Sequence, residues 1–159
     1  MLIGSSILKS IGTKGLTNTD VCINRGATID KLIGILQKKD LSQYETVVHI
    51  SGNDFHNGDS LNVIYEKYES VLCQLLVMCQ PDTVIMVSGI PPRYGVNVDG
   101  LNMMLDELCE NLNLQFIGHN HHFYDRNGSV NNHLFHADGI HLTNKGTSAF
   151  YLRSVNDHV

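Results

Sequence analysis

The sequence has no cluster of basic residues. Its 159 residues include 11 Lys and Arg against 16 Asp and Glu, which gives a formal net charge of −5 when the nine histidines are neutral. Proteins that bind nucleic acids use clustered Lys and Arg to contact phosphates. The composition therefore argues against direct nucleic-acid binding by this domain.

Long apolar runs are also missing, and no secretory leader is expected. No stretch reaches the roughly 18 apolar residues of a membrane span, so no transmembrane segment is expected. Leu2-Ile3 already has the character of a strand and polar Gly4-Ser5-Ser6 follows at once, so we expect no signal peptide. Without an internal repeat or linker, residues 1–159 are predicted to be one domain. The abrupt start predicts that this domain belongs to a longer, modular protein.

Cysteine pairs of the CxxC type are absent. The four cysteines lie in apolar, regular segments, at Cys22, Cys73, Cys79 and Cys109. This pattern is typical of buried, reduced thiols and predicts a cytoplasmic location.

Short apolar runs alternate with longer periodic segments along the chain. The runs that predict strands are residues 2–3, 21–23, 46–50, 83–87 and 114–117. Apolar residues spaced three and four apart predict helices at residues 6–11, 27–39, 61–79, 98–112 and 143–155. The strands are apolar throughout, as expected when both faces of a sheet are covered. This order predicts a three-layer α/β/α fold with a five-stranded parallel sheet.

Polar residues follow the predicted strands. In parallel sheets, functional sites form at the carboxyl ends of the strands. There the sequence places Gly4-Ser5-Ser6, Asn24-Arg25-Gly26 and Ser51-Gly52-Asn53-Asp54, and Asp138-Gly139-Ile140-His141 precedes the last helix. Together these segments supply a hydroxyl, backbone and side-chain amides and an Asp/His pair, which are the parts of an acyl-transfer site.

Each of these groups has a role in acyl transfer. A serine hydroxyl is a weak nucleophile until a base such as histidine takes its proton, and an acceptor on the other ring nitrogen fixes the tautomer. Asp138 and His141 lie three positions apart, so one turn can bring them together. The N–H groups of Ser6 and Gly26 and the side-chain amide of Asn53 are candidate donors to the oxyanion.

Four segments, "IGSSIL", "NRGAT", "SGNDF" and "DGIHLTNKG", resemble in order and place the motifs of the SGNH hydrolase family, the wider group behind the GDSL esterases. The resemblance spans residues 3–150. It implies a flavodoxin-like fold and a serine esterase that needs no metal or other cofactor. It also implies a triad of Ser6, Asp138 and His141, and an oxyanion hole of Ser6, Gly26 and Asn53. The substrate we expect is a small ester or lipid-derived molecule with a short, acetyl-like acyl group, because no lid or long insertion is evident.

The letters Gly58-Asp59-Ser60-Leu61 also spell the GDSL name, but they follow the third motif. We interpret Asp59-Ser60 as a helix start. The family usually has Asp at the position of Ser5, where it supports the turn. Serine can make some of the same local hydrogen bonds. The change leaves two alternatives open: Ser5 as the nucleophile, and a catalytically weak lipid- or partner-binding module on the same fold.

Three further segments, "VVHISGND", "SGIPPRY" and "HLTNKGTSAFYLR", resemble one subgroup within this family. The subgroup is the esterase domain in the first-open-reading-frame proteins of some LINE retrotransposons, which is related to the small acetylhydrolases of platelet-activating-factor type. It implies that RNA binding and self-association belong to other parts of the full-length protein.

The remaining candidates have a structural interpretation beside the functional one. His49 is expected in the core, and Asp54 is expected to cap the next helix or hold the Asn53 loop. Arg93 and Tyr94 are candidates for the substrate mouth or for a solvated loop. Residues 118–139 are rich in Asn, His and Gly and show no periodicity, which predicts a polar loop. Its histidines match no metal-ligand spacing, so no metal site is expected.

Overall fold

The computed structural model describes residues 1–5, 18–50, 52–93 and 95–154. Within these ranges the strands are β1 Leu2–Gly4, β2 Val21–Ile23, β3 Thr46–Ile50, β4 Val84–Ser88 and β5 Gln115–Ile117. The α-helices are α1 Ile29–Leu36, α2 Leu61–Met78, α3 Val98–Asn111, α4 Asn120–Phe123 and α5 Asn144–Ser154. Short 3-10 helices lie at Asp54–Asn57 and Asn132–Leu134. The helix expected at residues 6–11 lies outside the described residues.

The strands form one parallel sheet in the order β2-β1-β3-β4-β5. The predicted α/β alternation is confirmed. Because β1 pairs with both β2 and β3, the chain moves to one side of β1 first and then continues on the other side. In sheets of this kind a crevice forms at the carboxyl ends of the strands where the order reverses. The ends of β1, β2 and β3 are therefore the place where a site is expected.

Two apolar clusters lie on opposite faces of the sheet. Successive strand residues point to opposite faces and join different clusters. Ile3 and Val87 pack with buried residues of α1, α2 and α3, whereas Leu2 and Met86 pack with buried residues of α4 and α5. Helices therefore cover both faces. Each fully buried large apolar side chain contributes about 1.5–3 kcal/mol of hydrophobic stabilisation.

The structure corrects the predicted loop at residues 118–139, which contains α4 and a 3-10 helix. Phe123 and Phe135 are buried in the cluster under α5, with ring centroids 5.5 Å apart. These two aromatic side chains anchor the segment to the core. A helix of only four residues is too short to produce a recognisable apolar period, which is why the pattern did not reveal it.

The helix start predicted at Ser60 is confirmed. Ser60 is the N-cap of α2, and its Oγ accepts a hydrogen bond from the Val63 N–H at 3.4 Å. Such caps satisfy one of the amide donors that have no partner inside the helix. The hydroxyl of Ser60 thus has a local structural role at the beginning of α2.

The predicted burial of the cysteines is confirmed only for Cys109. All four cysteines are free thiols; Cys109 is buried and Cys22 and Cys79 are half-buried, but Cys73 is exposed on α2. A helix that packs by one face leaves its other face to solvent, and Cys73 lies on that outer face.

Among the described helices, none has the length and apolarity needed to cross a membrane.

Candidate functional site at the carboxyl ends of β1 to β3

The ends of β1 and β2 are tied together beside Gly26. The Asn24 N–H donates to the Gly4 carbonyl at 2.9 Å, and the Ala27 N–H closes a turn by donating to the Asn24 carbonyl at 3.1 Å. Gly26 in this turn has φ +65°, a left-handed conformation that glycine adopts without a Cβ clash. The turn places this predicted oxyanion donor next to the end of β1.

Ser5 follows β1 and is fully buried. Its Oγ has no hydrogen-bond partner within the described part of the chain, and the local bonds that a serine can make in place of the usual Asp stay a prediction. A fully buried hydroxyl also cannot meet a substrate, which disfavours Ser5 as the nucleophile. Ser6, the predicted nucleophile, lies outside the described residues, and its contact with His141 stays a prediction.

Asn53 connects the third strand end to the second. Its Nδ2 donates to the Ala27 carbonyl at 2.9 Å, across 26 positions of sequence. A side-chain amide has two N–H donors, so this bond fixes the orientation of the group and uses one of them. The structure thus brings Asn53 next to the residue that follows Gly26. Asn53 therefore lies beside the turn that contains Gly26.

Asp54 connects the Asn53 turn to the start of α1. It is buried, and both carboxylate oxygens lie 3.2 Å from the Ile29 N–H at the start of α1. The regular N-cap, Thr28, makes no side-chain cap bond, so Asp54 replaces it. Asp54 was expected to cap the next helix or hold the Asn53 loop. The helix that it caps is α1, which precedes it in sequence, and that bond also fixes the Asn53 turn.

Lys67 on α2 joins three carboxylates. Its Nζ lies 2.9 Å from Asp30, 2.8 Å from Asp59 and 3.8 Å from Asp54. Hydrogen bonds from Asp59 and Asp30 raise the pKa of Lys67. Burial raises the pKa of Asp54, and the Ile29 N–H and Lys67 oppose that effect. The ammonium therefore ties α1, α2 and the turn after Asn53 together.

Asp138 and His141 form a hydrogen-bonded pair. His141 Nδ1 lies 2.7 Å from Asp138 Oδ2, while Asp138 Oδ1 accepts the N–H groups of Ile140 and His141 at 2.9 Å each. The bonds from the His141 side chain, then from the two backbone amides, hold the pKa of Asp138 well below its ordinary value. With Nδ1–H on the carboxylate, Nε2 is the basic nitrogen of the neutral ring. Both side chains are exposed, as access to a substrate requires.

Arg93 is buried rather than part of a solvated loop. Only 8% of the residue is exposed, and its guanidinium packs against Gly52, next to Asn53. The solvated-loop alternative is therefore wrong for Arg93. Tyr94, the other candidate for the substrate mouth, lies outside the described residues.

Two further polar groups are buried near β4 and β5, and sequence reasoning missed the burial of both: Asn102 was not singled out, and His119 was assigned to a polar loop. Asn102 on α3 accepts the Ile90 N–H at 2.8 Å and donates to the Ile90 carbonyl at 2.9 Å. The available signal was a polar residue adjoining the apolar stripe of α3. The second group is His119, which is buried and lies 2.7 Å from Ser88 Oγ through Nε2.

The histidines of residues 118–139 differ in burial. His119 is buried, which corrects its assignment to a polar loop, His122 is half-buried, and His121, His133 and His136 are exposed. Within the described residues, no three His, Cys, Asp or Glu side chains lie close enough to hold a metal ion. The side chain of His49 lies outside what the structure describes, so its expected burial stays a prediction.

Comparison with known proteins gives matches among solved structures. No family model and no curated protein sequence matches the chain. A proposed platelet activating factor from Streptococcus pneumonia superposes with a TM-score of 0.78 at 20% identity, over 99% of this chain and 81% of that chain. A GDSL-like lipase from Bacteroides thetaiotaomicron gives a TM-score of 0.70 at 13% identity, over 99% and 87%. This chain has the fold of the GDSL-like hydrolases. At these identities the likeness concerns the fold.

A third match is to a retrotransposon esterase domain. The esterase domain of the ORF1 protein from the zebrafish ZfL2-1 retrotransposon is 21% identical over 98% of this chain and 97% of that chain, with a TM-score of 0.49. A superposition at that level carries no argument about the subgroup. The resemblance to retrotransposon esterase domains therefore still depends on the sequence segments alone.

Proposed function

We propose that this chain is a serine esterase of the SGNH type. The observation that carries the proposal is the Asp138–His141 pair, with Nδ1 of the ring 2.7 Å from a carboxylate that two backbone amides hold in place. This geometry fixes the tautomer that a general base needs. The GDSL-like lipase with the same fold supports the assignment.

The proposed reaction begins when Ser6 Oγ attacks the ester carbonyl and His141 Nε2 takes the hydroxyl proton. Asp138 stabilises the imidazolium that forms. In the tetrahedral intermediate the bond between the carbonyl carbon and the alcohol oxygen breaks, and His141 gives the proton to the leaving alcohol. Water, activated by the same ring, then attacks the acyl-enzyme and releases the acid. No metal or cofactor takes part in these steps.

The oxyanion of each tetrahedral intermediate accepts hydrogen bonds from the N–H groups of Ser6 and Gly26 and from Asn53 Nδ2. The bond from Asn53 to the Ala27 carbonyl sets the orientation of the amide before substrate arrives. Donors that are already oriented need no reorganisation as the negative charge develops. The proposed substrates are esters of short, acetyl-like acids.

The test combines covalent labelling with hydrolysis of p-nitrophenyl acetate. We expect a fluorophosphonate probe to label Ser6, and Ser6→Ala and His141→Ala to abolish hydrolysis. Ser60→Ala is the matched control, because its hydroxyl only caps α2, and it should keep full activity. Labelling that persists in Ser6→Ala would assign the nucleophile to another serine. A panel of p-nitrophenyl acetate, butyrate and octanoate measures the acyl preference.

A second candidate function is a catalytically weak module that binds a lipid or a protein partner. The buried Ser5 favours it, because among the described residues its Oγ has no hydrogen-bond partner that would support the turn before Ser6. The two functions give different results with purified protein. No turnover across the ester panel, together with a rise in Tm on adding lysophosphatidylcholine, would favour the binding module.

A further inference from the structure

Arg93 is a buried cation in the loop that follows β4. Its Nε and Nη1 are buried and have no hydrogen-bond partner within the described residues. Burying a charged group without partners is strongly unfavourable unless the surroundings provide a compensating charge. Such a group therefore indicates a site where negative charge is expected.

The guanidinium lies against the backbone of Gly52. A Cβ placed on Gly52 would be 2.5 Å from Arg93 Nη2, 3.1 Å from Arg93 Cζ and 3.3 Å from Ile90 Cγ2. Any side chain at position 52 would displace the cation. Gly52 directly precedes Asn53, so the positive charge lies behind the turn that carries the predicted oxyanion donor.

The backbone around Arg93 is held from two sides. Asn102 bonds both the N–H and the carbonyl of Ile90, at 2.8 and 2.9 Å. The Arg93 carbonyl accepts the Val96 N–H at 3.3 Å in a tight turn. These contacts fix the backbone that carries Arg93, whose side chain forms no ion pair within 4 Å among the described residues.

The charges nearby leave the guanidinium incompletely balanced. Burial lowers the pKa of Arg93, and Tyr68 and Asp54 act in the opposite direction. Asp54 is already engaged by the Ile29 N–H and by Lys67. An anion bound at the neighbouring turn would therefore supply negative charge near a cation that has little compensating charge around it.

We propose that Arg93 is a positioning residue for the oxyanion hole: its charge, held against Gly52, favours an anion bound at the N–H groups of Asn53 and Gly26. This inference builds on the proposed esterase function. The ester substrate is neutral and the tetrahedral intermediate is charged, so Arg93 acts on the transition state more than on substrate binding. Its removal lowers kcat and leaves KM nearly unchanged.

The first test is kinetic, with p-nitrophenyl acetate as substrate. We expect Arg93→Met to lower kcat about tenfold or more, as for loss of a nearby charge that does not itself bond the oxyanion, with KM within about threefold. Arg93→Lys should recover part of that loss because it keeps the charge. Arg126→Met removes an exposed arginine and is the matched control, with unchanged kcat and KM. Circular dichroism and Tm establish that each variant folds. If Arg93→Met does not fold, the kcat of Arg93→Lys tests the proposal instead.

The second test needs no turnover. Acetate is titrated into wild type and variants, and NMR follows the Gly26 N–H and the Asn53 side-chain amide. We expect the acetate Kd to rise about tenfold or more in Arg93→Met and less in Arg93→Lys, as for loss of a nearby charge. If wild type binds acetate without hydrolysing the ester, the esterase proposal is wrong, and the acetate Kd values of the variants decide the role of Arg93. Three outcomes would each overturn the role of Arg93. The first is a folded variant with wild-type kcat and wild-type acetate binding, and the second is a change in KM or Tm alone. The third is the absence of acetate binding by wild type.

Discussion

We expect acidification to destabilise this fold through His119. The residue is 1% exposed, its Nε2 lies 2.7 Å from Ser88 Oγ, and its ring stacks on Phe150 with centroids 4.2 Å apart. Burial disfavours the charged imidazolium and lowers the pKa of His119 from 6.5 to about 3, with a smaller contribution from the charges of His122 and His121. The folded protein therefore keeps His119 neutral at pH values where the unfolded chain is protonated.

The direction and size of the effect follow from these two pKa values. Because the unfolded chain takes up the proton first, the stability that is present above pH 6.5 is lost as the pH falls toward 3. Each pH unit below 6.5 costs about 1.4 kcal/mol, which gives a loss of about 2 kcal/mol between pH 7.5 and pH 5.

The assay is urea unfolding followed by circular dichroism at pH 7.5, 6 and 5. His119→Gln keeps a polar amide for Ser88 but does not titrate, and His133→Gln replaces an exposed histidine as the matched control. We expect the unfolding free energy of wild type to fall about 2 kcal/mol more than that of His119→Gln over this range, and the control to follow wild type. Equal pH dependence in wild type and His119→Gln would refute the argument.

Three further predictions concern the groups that position the site. Asp54→Ala should lower the unfolding free energy by about 2 kcal/mol, because the Ile29 N–H loses its acceptor. Asp54→Asn should change it by less than about 1 kcal/mol, because burial already disfavours the charge. Urea unfolding measures both variants, and equal losses would contradict this reasoning. Asn102→Ala should lower the unfolding free energy by about 2–4 kcal/mol in the same assay, since the N–H and the carbonyl of Ile90 both lose their partner. A loss below about 1 kcal/mol would show that these two hydrogen bonds contribute little. Asn53→Ala should lower kcat for p-nitrophenyl acetate on the order of a hundredfold or more with little change in KM, and unchanged kcat would remove Asn53 from the oxyanion hole.

The sequence was sufficient for the features that depend on neighbouring residues. Short apolar runs and three-to-four periodicity located the strands and the longer helices to within a few residues. The Asp138–His141 pair and the cap at Ser60 each span three positions, so a single turn creates them. The order of elements also predicted a parallel sheet, because connections between such strands are restricted.

Contacts between distant segments came only from the tertiary structure. Asp54 caps a helix that begins 25 positions earlier, and Asn53 bonds the carbonyl of Ala27, because β2 and β3 flank β1 and their ends lie close together. Burial of Arg93 and His119 likewise depends on which elements pack over them. A sequence pattern records the preference of each segment for its own conformation, whereas the burial of a polar side chain depends on its neighbours in space, which only the folded chain defines.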